Sequence, residues 1–187
     1  MSRALDVFVD TSLAGQLTEE NNIWAFQYHP TWLASEQAHP LSPALPLTPE
    51  KLTDGASTRP VQWFFDNLLP EETARELLAK AVKLPLSDAF GLLEAAGAES
   101  AGAITLLLPG QTPTSGRVEP LSADELSARI RALPKTPLNR AERKRMSLAG
   151  AQHKMLVVFQ DNQLFEPSGF FPSTHILKPE HTSPELY

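Results

Sequence analysis

Proline limits what the middle of this sequence can become. Between residues 30 and 60, Pro40, Pro43, Pro46 and Pro49 recur at three-residue intervals, and none can donate a backbone hydrogen bond. A long ordered loop with extended pieces is expected there. The alternating Leu41, Leu45 and Leu47 predict that this loop packs against something. The loop also separates two kinds of pattern, one strand-like and one helical.

Before the loop, Leu5, Val7 and Val9 alternate with Asp6, Phe8 and Asp10. Leu13 to Leu17 offers a second extended piece after a polar turn at Thr11-Ser12, and Ile23 to Tyr28 is rich in the aromatic and β-branched types that favour sheets. Residues 5 to 28 therefore read as an antiparallel meander. After the loop, Val61, Phe64, Phe65, Leu68 and Leu69 fall at helical spacing. Pro70 suits the start of a second helix, with Glu71 and Glu72 near its N-terminal dipole end and Leu77, Leu78, Ala81 and Val82 as its buried stripe. Ser87-Asp88 reads as the cap of a third helix, closed by Gly97, and residues 103–108 as a strand that stops at Pro109-Gly110.

From Pro109 to Pro120 the composition shifts to Pro, Gly, Ser and Thr without hydrophobic period, which marks a linker. Ser122 with Glu125 three residues on forms a helix start, and Leu126, Ile130 and Leu133 share one face of that helix. A hairpin follows, through residues 156–159, a turn at Asp161-Asn162, and Leu164-Phe165. The last apolar piece is Ile176-Leu177, ending in Lys178. It reads as an interior strand of a lobe whose other half is absent, leaving an unpaired edge.

Composition narrows the function classes. The 187 residues are 42% hydrophobic and 20% charged, ordinary for a globular chain. A net charge of −6 argues against a sequence-independent nucleic-acid binder, whose affinity rests on neutralising phosphates. With no cysteine, and His29, His39, His153, His175 and His181 scattered outside any HExxH spacing, a metal site built from protein ligands is not expected. The N-terminus lacks a signal-peptide pattern, and no window approaches the roughly 18 apolar residues of a membrane span. A cytoplasmic protein without membrane contact is expected.

Chemistry is legible in one stretch, from Arg145 through Ser147 to Val158. Ala149, Gly150 and Ala151 let backbone approach a ligand closely, Lys154 supplies a point charge, and an apolar β-branched run follows. Backbone N–H groups of such a loop could cradle a phosphate. A plain turn into a buried strand has the same appearance, because both the three-glycine dinucleotide fingerprint and the GK[ST] ending of a P-loop are missing. Lys178 likewise has two readings: an edge-strand lysine that blunts aggregation, or a second cation facing the same phosphate as Lys154. Ser147 has no GxSxG elbow. It follows the basic run Arg143, Lys144 and Arg145, which is either a solvated helix face or a partner for a phosphate carried by Ser147, worth roughly −1.5 to −2 charges.

Four stretches together resemble the HipA-type bacterial serine/threonine kinases, the toxins of type II toxin–antitoxin pairs. They are Phe64-Phe65-Asp66-Asn67-Leu68-Leu69-Pro70, residues 97–107 with Glu99-Ser100-Ala101-Gly102-Ala103, Ser147-Leu148-Ala149-Gly150-Ala151-Gln152-His153-Lys154, and Thr174-His175-Ile176-Leu177-Lys178, all in the family's order. The resemblance implies an α+β chain in which residues 1–110 form a HipA-like N-terminal subdomain of antiparallel sheet plus helices. Residues 111–120 are then a linker, and 121–187 begin a kinase-like, incomplete nucleotide-binding lobe. It further implies that Ala149, Gly150, Ala151, Gln152, His153 and Lys154 form the loop over ATP, that Lys178 reaches the ATP phosphates, and that Ser147 is the residue the kinase phosphorylates on itself. His153 stands where family members often carry an acidic residue.

The implied partners are a helix-turn-helix antitoxin of the HipB type, which would make the only contact with DNA, and glutamyl-tRNA synthetase as the phosphorylated target. ATP and Mg²⁺ would be the cofactors of the complete kinase. Phosphoryl transfer needs an aspartate to orient the attacking hydroxyl and an aspartate or asparagine to hold Mg²⁺. In the family these lie well beyond the position of Lys178, so no catalytic or metal-binding residue is expected here and the isolated chain should be inactive. Either the chain is part of a longer kinase, or it is a naturally short, antitoxin-like module that binds a separately encoded kinase core. A structural or small-molecule-binding α+β protein is the third reading.

Overall fold

The strand pattern of the first thirty residues is realised as an antiparallel sheet because its alternation is long enough to bury one whole face. In the computed structural model, which describes residues 2–99, 103–113, 116–132, 154–168, 171 and 173–179, β1 (Ser2–Val9), β2 (Ser12–Glu20) and β3 (Ile23–Tyr28) form the expected meander. The register sets Leu5 opposite Leu17 and Leu17 opposite Phe26, and all three are fully buried. Gly15 lies where a Cβ would meet the Gln27 carbonyl at 2.4 Å and the Phe26 ring at 2.6 Å, so only glycine fits. The β2–β3 turn has left-handed φ at Asn21 (51°) and Asn22 (63°), which asparagine tolerates and which matches the twist of a two-residue hairpin.

The proline-rich segment packs down as the leucines predicted, but through polar contacts that the pattern did not reveal. It opens with one helical turn, α1 (Pro30–Leu33), and later pairs a two-residue strand, β4 (Leu52–Thr53), with β3. The buried Tyr28 hydroxyl donates to the Leu45 carbonyl at 2.6 Å and accepts from the Leu41 N–H at 2.9 Å. Burial, only partly offset by the Leu41 bond, raises its pKa. Leu45 is fully buried and Leu41 half-buried, whereas Leu47 is exposed.

Helices α2 (Pro60–Asp66) and α4 (Ala89–Ala96) pack on the sheet, and α3 (Glu72–Val82) packs against α4. Helix α2 ends three residues earlier than its apolar pattern, and Pro70 precedes α3 and its cap residue Glu71 rather than opening the helix. The buried stripe of α3 uses Leu78 and Ala79, with Ala81 turned to solvent, one position away from the expected face. Asp88 caps α4 as predicted, accepting from the Gly91 N–H at 3.0 Å. Arg3 of β1 joins the same carboxylate at 2.8 Å, reaches Glu19 of β2 at 2.9 Å and lies 4.8 Å over the Phe90 ring, so it fastens sheet to helix.

The cap of α2 comes from a distance. Arg59 makes no side-chain cap bond. Asp54, 5% exposed, instead accepts from the Val61 and Gln62 N–H groups, each at 2.9 Å, while its own N–H donates to the Trp24 carbonyl. One carboxylate thus satisfies two orphan donors of the helix N-terminus and ties it to β3.

Strand β5 (Ile104–Leu107) pairs with β1 and completes a five-stranded sheet of order β4-β3-β2-β1-β5. A second sheet, of order β6-β8-β7-β9, contains β6 (Arg117–Pro120), β7 (Met155–Gln160), β8 (Gln163–Ser168) and β9 (His175–Leu177). One expectation changes here. Arg117–Pro120 is a strand although the sequence read as linker there, because four residues ending in proline are too short to carry a period. Strand β9 stands at an edge of the second sheet among the described residues.

Replacing Asp54 with alanine leaves two helix N–H groups without their acceptor. A loss of about 2 kcal/mol is expected, read as a lower urea midpoint at unchanged slope. An unchanged midpoint would mean that Asp54 is not what holds α2.

Candidate functional site

The second sheet has two unlike faces. Met155 and Val157 of β7 point to one side with Leu164 of β8 and Leu177 of β9, where they pack with Leu121 and with Leu126 and Ile130 of α5 (Ala123–Arg131). That helix starts as predicted: Ser122 Oγ accepts from the Glu125 N–H at 3.2 Å. Side chains alternate along a strand, so Lys154, Leu156 and Val158 belong to the other side. Leu156 and Val158 are nonetheless buried, while Ile176, the partner of Leu156 on β9, is 55% exposed.

The two lysines singled out in the sequence flank the end of the β7–β9 ladder on this second side. Strand β9 pairs with β7 as Met155↔Leu177, Leu156↔Ile176 and Val157↔His175. Carried one residue further, the same register would set Lys154 opposite Lys178, on one face and at the same end of the ladder. Directly opposed positions hold their Cβ atoms roughly 4.5–5.5 Å apart, and like charges there repel. An anion between the two ammonium groups would reverse the sign of that interaction. Ser147, Ala149, Gly150, Ala151, Gln152 and His153 lie outside the described residues.

Beneath the opposite face is a network that spacing only half revealed. Arg129 of α5 pairs with Glu125 one turn earlier at 2.7 Å and with Glu166 of β8 at 3.1 Å, the side chains of Arg129 and Glu166 being 12% and 5% exposed. Burial lowers the guanidinium pKa, and the two carboxylates more than offset this, so it stands raised. The Glu125–Arg129 spacing is a visible helix pair. Glu166 is not visible in that way, because only the fold brings β8 under α5. Between α5 and the β7–β8 hairpin lies a cleft of about 560 Å³, lined by Leu121, Leu126, Ile130, Phe159 and Leu164 among others.

An antiparallel sheet packed with helices, followed by a second small sheet, defines an α+β protein, and the end of the β7–β9 ladder is its candidate site. The family model described as HipA N-terminal domain matches residues 5–107, more than half of the chain. This chain belongs to the HipA family. It is 37% identical to the protein Y4mE of Sinorhizobium fredii over 95% of its own length and 43% of that relative. It is 29% identical to the serine/threonine-protein kinase toxin HipA of Shewanella oneidensis, over 93% of its length and 39% of the toxin's. The solved complex of Shewanella oneidensis HipA, HipB and operator DNA contains a chain that superposes with a TM-score of 0.72 at 27% identity, over 96% of this chain and 41% of that one. The chain therefore spans about two fifths of the length of the relatives it matches. No helix among the described residues is long and apolar enough to cross a membrane.

Glu166→Ala removes the more buried of the two carboxylates from the largely buried Arg129 guanidinium and leaves Glu125 to pair it. Breaking such a pair from one side costs about 3 kcal/mol, and the loss should appear in thermal unfolding of the second sheet. Equal stability of Glu166→Ala and the parent would show the network to be dispensable.

Proposed function

We propose that this chain is the N-terminal portion of a HipA-like serine/threonine-protein kinase, the toxin of a type II toxin–antitoxin pair, and that Lys154 and Lys178 engage the phosphates of ATP. The observation that carries the reading is the β7–β9 register, whose extension by one residue would oppose two cations at one end of a short ladder. Similarity to a kinase toxin over nearly the whole chain supports it. Lysine suits this role as a compact point charge with three donors. Residues 149–154 would supply the loop over the phosphates, and Ser147 would be the self-phosphorylated residue that moves that loop when modified.

The phosphoryl transfer itself belongs to the longer protein, with Mg²⁺ held by groups outside these residues. The chain alone should be inactive. By analogy with the Shewanella complex, a HipB-like antitoxin would be the partner and would make the contact with operator DNA. A glutamyl-tRNA synthetase-like protein is the proposed substrate, and the cytoplasm the proposed location.

The first test is the intact mass of the native gene product, detected with an antibody to residues 1–100. A species much larger than 20.5 kDa is expected. A product of that mass would favour the short module that binds a separate kinase core. With the native product in hand, ATP with Mg²⁺ is titrated calorimetrically. Lys178→Ala should weaken binding by at least tenfold, a difference of about 1.4 kcal/mol, and unchanged affinity removes the case for the lysine pair. For Ser147, the Ser147→Ala kinase should retain activity during prolonged incubation with ATP, and self-inactivation at the parental rate counts against the switch.

A further inference from the structure

The lysine pair exists only if β9 lies on β7 in one register, and the side chains of β9 do little to select it. His175 and Ile176 are exposed and Leu177 is half-buried, so neither face of this three-residue strand is driven strongly into a core. Register is weakly specified under those conditions, and a slip of one residue would turn every side chain to the opposite face. Lys178 would then point to the side of Met155 and Val157. Pro179, directly after it, cannot donate a further bond to the ladder.

A different residue grips β7. The Thr174 N–H donates to the Val157 carbonyl at 3.1 Å, and its hydroxyl accepts from the Phe159 N–H at 2.9 Å. Thr174 thus holds two residues of β7 at once, one through its main chain and one through a side-chain oxygen standing where a strand carbonyl would ordinarily be. A one-residue slip breaks both bonds. The hydroxyl proton is left to donate to His175 Nδ1, 2.8 Å away, in the tautomer that carries its proton on Nε2. The His175 ring in turn lies edge-on to Phe159, with centroids 5.8 Å apart. The hydroxyl is therefore oriented from both sides.

We infer that Thr174 is the positioning residue of the phosphate site: by pinning β9 to Val157 and Phe159 it fixes the register that brings Lys178 opposite Lys154, about 13 Å farther along the strand. The inference rests on the lysine reading above and adds the element that selects it. Thr174 need not touch the nucleotide. Its effect passes through the backbone of β9, and a hydroxyl, not a β-branched shape, is what the position requires.

The test uses the full-length native product and ATP with Mg²⁺ as the probe. Thr174→Val keeps the shape and removes the acceptor. It should raise the ATP dissociation constant roughly tenfold, whereas Thr174→Ser, which keeps the hydroxyl, should stay within about twofold of the parent. Because Thr174 acts through Lys178, the double variant Thr174→Val/Lys178→Ala should bind no more weakly than Lys178→Ala alone, while a merely structural loss would add. Parental affinity in Thr174→Val, or an additive double variant, overturns the inference if Lys178→Ala has itself lost affinity. If Lys178→Ala binds ATP as the parent does, the lysine reading fails first and takes the positioning role with it. Should Thr174→Val not fold, a tenfold loss in Thr174→Ser would overturn the inference on its own.

Discussion

The row formed by Leu5, Leu17 and Phe26 across three antiparallel strands is what the larger part of this structure depends on. Each of these side chains is fully buried, and together they present a continuous apolar surface that the strands cannot cover themselves. Burial of that surface at about 25 cal/mol per Å² is what draws α2 and α4 onto the sheet. The ladder comes first in this logic because alternation is useful only when neighbouring strands are in step. The bulge between Val7 and Phe8 and the tight fit at Gly15 are local adjustments that keep them so.

Burial on that scale leaves polar groups to be satisfied, and three residues do most of it. Asp54 supplies the acceptors for the start of α2, Tyr28 serves a proline-rich segment that has few donors of its own, and Arg3 joins two strands to the cap of α4. In each case one side chain serves backbone or charge from elements distant in sequence. The second sheet uses the same device in Arg129 and again in Thr174, whose hydroxyl completes a short ladder. Specificity of arrangement in this protein therefore rests largely on single polar side chains placed against an apolar background.

Much of the fold could be read from residue order. The meander, the capped α4 at Asp88, the capped α5 at Ser122 and the β7–β8 hairpin at Asp161-Asn162 all follow from period and turn chemistry. Strand β6 did not, because Arg117–Pro120 has too few residues to show alternation and sits in a Pro/Gly/Ser/Thr background. The stripe of α3 was rotated by a residue, since Ala79 and Ala81 are equally apolar and only the neighbouring surfaces distinguish them. Of the candidate site, Lys154 and Lys178 were singled out from position alone. Thr174 carries no such signal, because nothing in its sequence surroundings marks a hydroxyl that will replace a strand carbonyl.

By itself, the sequence determined the class of most elements and their order: alternating segments become strands, segments with period 3.6 become helices, and prolines keep residues 30–60 to one helical turn and a two-residue strand before α2. These are local properties, dictated by backbone sterics and by which side of an element must leave water. Tertiary structure decided which distant groups meet. Asp54 reaches α2, Glu166 reaches Arg129, and Leu177 stands opposite Met155 because sheet register converts a 22-residue separation (177 against 155) into a cross-strand neighbour. No local pattern encodes such a pairing, since its energy exists only once both strands are in place.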